Sequence, residues 1–257
     1  DERLFSLLEE RMELAARAHE QKKYCIERLL SHGDQGPLSL LTLDNGGAPY
    51  LLLPRASWLI GVVGLNEMVK RQRGYHLHES DDARLFGLKV VTRMGEIARR
   101  LTSDYGMNFI LEQSPAESTP HRFARLDLKY FSPEAGRYVR GDITRGEIYY
   151  TNSTCFDITA PVGALDKVRR EGALHPCIEG EALSHLWLGA NRPAAEKLAD
   201  FVVAVFRNTT NRHVTFSPDF STCRDCKKTA RGLLDSCPFC GSADLEGMTR
   251  ITGYYSK

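Results

Sequence analysis

Apolar residues recur at three- and four-residue steps near the start of the chain: Leu4, Leu7, Leu8, Met12, Ala15, Ala18, Ile26, Leu29 and Leu30. That spacing predicts an amphipathic helix over 4–32, with Gly33 as its stop. A turn-rich stretch follows, with Gly36-Pro37 and Asn45-Gly46-Gly47 around two short apolar pieces at 38–43 and 50–53. Residues 58–65 form a continuous apolar run, the pattern of a strand buried on both faces. A second helix is predicted over 81–105, capped by Ser80 and Gly106, with Leu85, Leu88, Val91, Met94, Ile97, Ala98 and Leu101 facing inward.

The alternation continues downstream. Residues 107–112 and 147–151 read as strands, and a helix opens at Pro161 and ends near Gly172. A strand at 182–188, a helix at 193–206 and a short strand at 213–216 follow. Strands alternating with helices predict an α/β chain with a parallel or mixed sheet covered by helices. Ser217-Pro218-Asp219 is the best domain boundary, because the composition turns to Cys, Gly, Asp and Lys just beyond it. In α/β sheets, chemistry gathers on the loops that follow strands. Two such loops stand out, 113–122 (Gln-Ser-Pro-Ala-Glu-Ser-Thr-Pro-His-Arg) and 149–154 (Tyr-Tyr-Thr-Asn-Ser-Thr).

Composition narrows the function classes. A chain of 257 residues, 42% hydrophobic and 26% charged, fits one large domain or one domain with a small appendage, and excludes a disordered tail or a collagen-like rod. The 34 Lys and Arg against 33 Asp and Glu leave a formal charge of +1 with no long block of either sign, weak ground for non-specific nucleic-acid binding. The apolar run at 58–65 is far short of the roughly 20 residues that a membrane span needs. The opening Asp-Glu-Arg-Leu-Phe lacks the pattern of a signal peptide, and an odd total of seven cysteines points the same way, to a reducing cytoplasm.

Four of the seven cysteines are clustered. Cys223-x-x-Cys226 and Cys237-x-x-Cys240 have the spacing of two metal knuckles, Pro238 and Gly241 shaping the second. Tetrahedral zinc needs four thiolates about 2.3 Å from one point, and two such turns supply them from opposite sides. With all four positions filled by protein, the ion would be structural and would contribute most of the ribbon's folding free energy. An iron–sulfur cluster or two redox disulfides are the alternatives. Four thiolates around one zinc carry −2, which moves the formal charge from +1 to −1.

Read in order, further pieces acquire meaning together: Gly64-Leu65-Asn66-Glu67; Leu111-Glu112-Gln113-Ser114-Pro115-Ala116-Glu117-Ser118-Thr119; Arg122-Phe123-Ala124 with Asp127; and Tyr149-Tyr150-Thr151-Asn152-Ser153-Thr154. Ser217-Pro218-Asp219-Phe220, the four cysteines and Arg250-Ile251-Thr252-Gly253-Tyr254 complete the series. Taken alone, Gly253 would be a turn glycine. In this order the chain resembles, over essentially its whole length, the anaerobic (class III) ribonucleotide reductases, which are glycyl radical enzymes.

The resemblance implies a ten-stranded α/β barrel made of two half-barrels, of which this chain is similar to the C-terminal half. The expected division is a half-barrel over 1–218, a four-cysteine zinc ribbon over 219–247 and a radical loop over 248–257. The implied activity is conversion of ribonucleoside triphosphates to 2′-deoxyribonucleotides. The implied radical sits on Gly253, installed by an iron–sulfur activase that uses S-adenosylmethionine, and passes to a cysteine thiol that abstracts the ribose 3′ hydrogen. Glycine suits a stored radical because its α-carbon can flatten and delocalise into both peptide groups, with no side chain between the backbone and its neighbours. The segment with Ser114, Glu117, Ser118 and Thr119 corresponds to the family's substrate-phosphate region, where amides and hydroxyls at a helix start make a cradle. Glu117 also reads as a helix-start residue favoured by the dipole. Asn152 and Ser153 either line the same cavity or end a strand. Expected partners are the substrate, the activase, an upstream half of the reductase and a second copy in a homodimer; no membrane is expected.

The family's radical-accepting cysteine lies in a Gly-Cys-Arg-Thr-like stretch that this sequence does not contain. Cys155 is the one unclustered cysteine near the expected site; Cys25 and Cys177 read as structural, and His175 and His185 as packing or surface residues. The rival reading is a non-enzymatic zinc-ribbon protein that binds nucleic acid or a partner protein through 221–247.

Overall fold

A computed structural model describes residues 1–113, 118–250 and 255–256. They fall into two compact units, Asp1–Ile60 with Val90–Glu112, and Gly61–Lys89 with Gln113–Lys257.

In the first unit, α1 (Glu2–Leu30) forms as the periodicity predicts, and Gly33 turns the chain with φ 57° just beyond it. Its buried residues are Met12 and Ala16; Ala18 is exposed, so the stripe lies slightly rotated from the expected one. A short α2 (Ser39–Thr42) follows. Strand β1 (Ser57–Gly61) pairs with β2 (Asn108–Glu112). β1 differs from the expected doubly buried strand: Trp58 and Ile60 are buried while Leu59 is 42% exposed, so only one face is covered. The rest of the apolar run turns away at Gly64 and enters a helix. α4 (Asp81–Tyr105), which belongs to the second unit up to Lys89 and to the first from Val90, begins and ends where its caps predict, with Ser80 Oγ accepting the Ala83 amide and Gly106 in the left-handed region. Val91, Met94, Ile97, Ala98 and Leu101 are buried as expected, but Leu85 is exposed and Phe86 and Val90 are buried instead. His19 joins α1 to the strand pair, its ring edge-on to Trp58 and its Nε2 3.0 Å from the Leu59 carbonyl.

The second unit opens with α3 (Leu65–Arg73), which was not expected from the sequence. Gly64 takes φ 75° to start it, a conformation that costs a side chain-bearing residue about 1 kcal/mol. α5 (Ser118–Phe131) lies on an antiparallel hairpin of β3 (Arg140–Asp142) and β4 (Glu147–Tyr149), with Ala124, Val139 and Ile148 as their shared core. The strand expected at 147–151 therefore exists, but as half of a local hairpin. α6 (Ala164–Gly172) starts three residues after Pro161, β5 is Ser184–Gly189, α7 is Ala195–Asn208 and β6 is Val214–Pro218. β5 and β6 are parallel and joined through α7, a βαβ unit whose core is Val168, Leu186 and Val205. β7 (Phe220–Cys223), β8 (Thr229–Arg231), β9 (Leu245–Arg250) and β10 (Tyr255–Ser256) form a separate antiparallel sheet in the order β10-β9-β7-β8. The strands thus form four small sheets among the described residues, where the alternation predicted one. None of the described helices is long and apolar enough to cross a membrane.

Candidate functional site

The four clustered cysteines converge as their spacing predicts. Cys223 Sγ lies 3.6 Å from Cys240 Sγ, Cys226 Sγ lies 3.6 Å from Cys237 Sγ, and all four sulfurs fall within 4.8 Å of one another. Four bonds of about 2.3 Å to one tetrahedral ion separate sulfurs by roughly 3.8 Å, and a disulfide would bring a pair to about 2.05 Å. The donor set and its spacing therefore fit a single zinc ion and do not fit two disulfides.

The two knuckles are built alike. In the first, the Lys227 amide donates to the Cys223 carbonyl at 3.0 Å and the Cys223 amide to the Lys228 carbonyl at 3.0 Å. In the second, Gly241 donates to Cys237 at 2.9 Å and Cys237 to Ser242 at 2.8 Å. The residue after each second cysteine is left-handed, Lys227 at φ 61° and Gly241 at φ 79°. The Phe239 amide also points at Cys237 Sγ, 3.4 Å away, a donor aimed at a thiolate.

A second gathering of polar groups joins the loops singled out from the sequence. The Gly64 amide donates to the Thr151 carbonyl and the Leu65 amide to the Ser153 carbonyl, which seats the start of α3 against residues 151–153. The Tyr150 amide donates to the Pro120 carbonyl, bringing the first turn of α5 alongside. Gln113 closes the other side: its Oε1 accepts the Leu183 amide at 2.8 Å and its Nε2 donates to Thr154 Oγ1 at 2.5 Å. The Tyr150–Pro120 bond ties Tyr150, two residues before Asn152, to the turn of α5 that also holds Ser118 and Thr119. Ser118 is exposed and Thr119 half-buried. Ser114, Glu117 and Gly253 lie outside the described residues.

Asn152 and Ser153 sit in an unusual local environment. Ser153 is buried in a left-handed conformation (φ 47°), and neither Asn152 Oδ1 nor Ser153 Oγ has a hydrogen-bond partner among the described residues. Buried polar atoms are nearly always paired, and strained backbone gathers at ligand sites.

Sequence reasoning missed the network beneath this loop. Glu67 is buried and accepts the Thr151 amide at 3.1 Å, the Thr151 hydroxyl, and Asn66 Nδ2 at 3.2 Å. Asn66 Nδ2 also lies 3.0 Å from His76 Nδ1, and Asn66 Oδ1 accepts the Leu77 amide. Burial pushes the Glu67 carboxyl up, against the pull of the Thr151 and Asn66 hydrogen bonds. The sequence singles out residues 64–67 and 149–154 as separate pieces of the resemblance, without showing that Glu67 and Thr151 meet. Glu67 and Tyr150 also line a cavity of about 690 Å³ between α3 and α5. None of the described residues expected to bind substrate lines it. Cys155, the spare thiol, is buried near the Leu183 carbonyl, and burial raises its pKa to about 12.

Arg250, at the end of β9, pairs with Tyr255 in β10, so the four residues between them contain Gly253. His185 and Ser217, on neighbouring strands, meet at this end of β9, where Ser217 Oγ accepts from Arg250 Nη1 at 3.4 Å.

The family model described as anaerobic ribonucleoside-triphosphate reductase matches residues 1–257, the whole chain. The anaerobic ribonucleoside-triphosphate reductase of Salmonella typhimurium is 27% identical over 210 residues, covering 78% of this chain and 28% of that protein. The enzyme of the same name from Haemophilus influenzae is 27% identical over 225 residues, covering 83% of this chain and 30% of that protein. The chain therefore spans little more than a quarter of the length of these relatives. Among solved structures, an anaerobic ribonucleotide reductase superposes with a TM-score of 0.73 at 24% identity, covering 99% of this chain and 37% of that one. The Thermotoga maritima enzyme in complex with dATP and CTP gives 0.74 at 22% identity, covering 99% and 39%; at these identities the structural likeness is one of fold. By the match along its full length, the chain belongs to the anaerobic ribonucleoside-triphosphate reductase family.

Proposed function

We propose that this chain acts as the C-terminal portion of an anaerobic ribonucleotide reductase that converts ribonucleoside triphosphates to 2′-deoxyribonucleotides. The observation that carries the reading is the family match over residues 1–257, which takes in every motif from Gly64 to Tyr254. On this reading 1–218 is a half-barrel, 219–247 a zinc ribbon and 248–257 the radical loop, with the radical on Gly253. Cys223, Cys226, Cys237 and Cys240 hold a structural zinc whose contribution is to fix the end of β9. An activating iron–sulfur enzyme that uses S-adenosylmethionine installs the radical. The upstream half of the reductase brings the cysteine that accepts it, and the working enzyme is a cytoplasmic homodimer.

The substrate phosphates rest on Ser114, Glu117, Ser118 and Thr119, with Asn152 and Ser153 completing the pocket wall. What supports this is that the Tyr150 amide donates to the Pro120 carbonyl, which ties the segment leading into Asn152 and Ser153 to the first turn of a 14-residue helix. Amides at a helix start favour phosphate through both their free N–H groups and the dipole.

The test is anaerobic incubation with a radical-S-adenosylmethionine activase from the same source, read by EPR. The expected result is a glycyl doublet that disappears in Gly253→Ala. Absence of the doublet from folded, zinc-loaded protein, even with the upstream half supplied, would refute the assignment. The chain on its own, lacking the Gly-Cys-Arg-Thr-like stretch, is expected not to turn over ribonucleotides; turnover with activase and reductant alone would contradict this.

A further inference from the structure

The surroundings of Arg250 are more elaborate than a strand end requires. Its carbonyl accepts the indole N–H of Trp187, and its guanidinium Nη1 donates to Ser217 Oγ at 3.4 Å. Ser217 Oγ lies 2.6 Å from Nε2 of His185, and the His185 ring stacks on Trp187 with centroids 4.4 Å apart. These contacts close a ring through three strands. His185 and Trp187 are two apart on β5 and so share a face, Ser217 stands opposite Trp187 on β6, and Arg250 ends β9. His185 and Ser217 are almost fully buried. Next along β9, Thr249 Oγ1 donates to Asp219 Oδ1 at 2.7 Å.

The donors and acceptors are consistent in one direction. Arginine has only donors, so Arg250 donates a hydrogen bond to Ser217 Oγ. That leaves the serine hydroxyl free to donate to His185 Nε2. The imidazole is held neutral by burial, then by the nearby charges of Arg250 and Lys167, which together lower its pKa to about 3. Lys167 Nζ lies 5.2 Å from the centroid of the Trp187 ring and pairs with the buried Glu171.

Neither side chain that grips Arg250 touches the four cysteine sulfurs, and zinc binding alone needs no such grip. We propose that Trp187, Ser217 and His185 are positioning residues that clamp Arg250 by both its carbonyl and its guanidinium, and thereby fix where the Gly253 segment leaves β9 relative to the β5–β6 pair. The purpose of the clamp rests on the radical assignment above; its existence does not. Hydrogen-atom transfer between a backbone carbon and a thiol demands close registration, and a displacement of about 1 Å in an active site costs roughly 100-fold in rate.

Three variants of the chain test it: Trp187→Phe, which keeps the ring but removes the N–H; His185→Phe, which keeps the stack but removes the acceptor; and His185→Gln, which restores an acceptor. Hydrogen exchange of the 245–250 amides is expected to speed up about tenfold in the first two, the equivalent of one lost hydrogen bond, with α6 unchanged. His185→Gln is expected to recover most of the protection. With activase, the glycyl doublet should weaken about fivefold or more in the same two variants at full zinc content, and return in His185→Gln. Wild-type exchange at 245–250 in both Phe variants, or equal loosening of α6, would overturn the clamp. If the wild-type chain gives no doublet even with the upstream half supplied, the radical assignment is what fails, and exchange alone decides the clamp.

Discussion

Three buried histidines set how this chain responds to acid. Burial first, and nearby cations second, bring His76 and His175 to about 4 and His185 to about 3, from an ordinary value of 6.5. Each therefore stays neutral when folded and takes up a proton once unfolded. The sign follows: their contribution to stability is complete above pH 6.5 and is lost as pH falls toward the folded values, by at most about 1.4 kcal/mol per pH unit for each. His175 offers the clearest test, because its Nδ1 accepts the Arg212 amide and Asn can present an oxygen there. His175→Asn is expected to flatten the fall in denaturation free energy between pH 6.5 and 4 by up to about 1.4 kcal/mol per unit. Acid loss of any bound metal affects both proteins and cancels in the difference; parallel slopes would disprove the assignment. The sequence leaves His175 and His185 as packing or surface residues, and both are buried. What it could not disclose is the partners, since Ser217 lies 32 residues from His185 and Arg212 lies 37 from His175.

Among the elements, legibility followed how local the signal was. α4 begins and ends at its expected residues because Ser80 and Gly106 are caps whose chemistry is written in adjacent positions. The run at 58–65 misled because continuous apolarity cannot separate a buried strand from a strand that turns into a helix; the turn was made by Gly64. The metal knuckles were legible for the same local reason as the caps, and they carry their own internal control. Lys227 and Gly241 hold equivalent left-handed positions, and a Cβ added at Gly241 would meet nothing within 4 Å. Gly241→Ala should therefore cost about 1 kcal/mol through conformation alone, and Lys227→Gly should recover a similar amount in the first knuckle. Thermal unfolding of the metal-loaded protein reads both. If the two substitutions shift stability in the same direction, the knuckles are not equivalent.

At the scale of the whole molecule, strand pairing was the part the sequence withheld. Periodicity identifies a strand but not its partner, and pairing depends on contacts from distant segments and on register. Hence 147–151 was legible as a strand while its hairpin with Arg140–Asp142 was not. The site divided similarly: the cysteines declare their chemistry by spacing, whereas the Glu67–Thr151 network joins residues 84 apart. The ribbon sheet links these scales, since β9 begins beside one knuckle and ends at Arg250, and β7, its partner, ends on Cys223. On the zinc assignment proposed above, this sheet depends on its metal, which contributes on the order of 10 kcal/mol or more in zinc-finger peptides. Chelation should therefore release the β7–β9 pairing first. Amide exchange across 220–250 is expected to rise by at least 100-fold, a shift of a few kcal/mol, while α6 and α7, whose core is Val168, Leu186 and Val205, retain their protection and the far-UV signal changes little. Readdition of zinc should reverse the effect, and a Cys237→Ser variant should reproduce the chelated state in its presence. If chelation leaves exchange across 220–250 unchanged, the sheet stands without the metal, and the zinc has no part in fixing the end of β9.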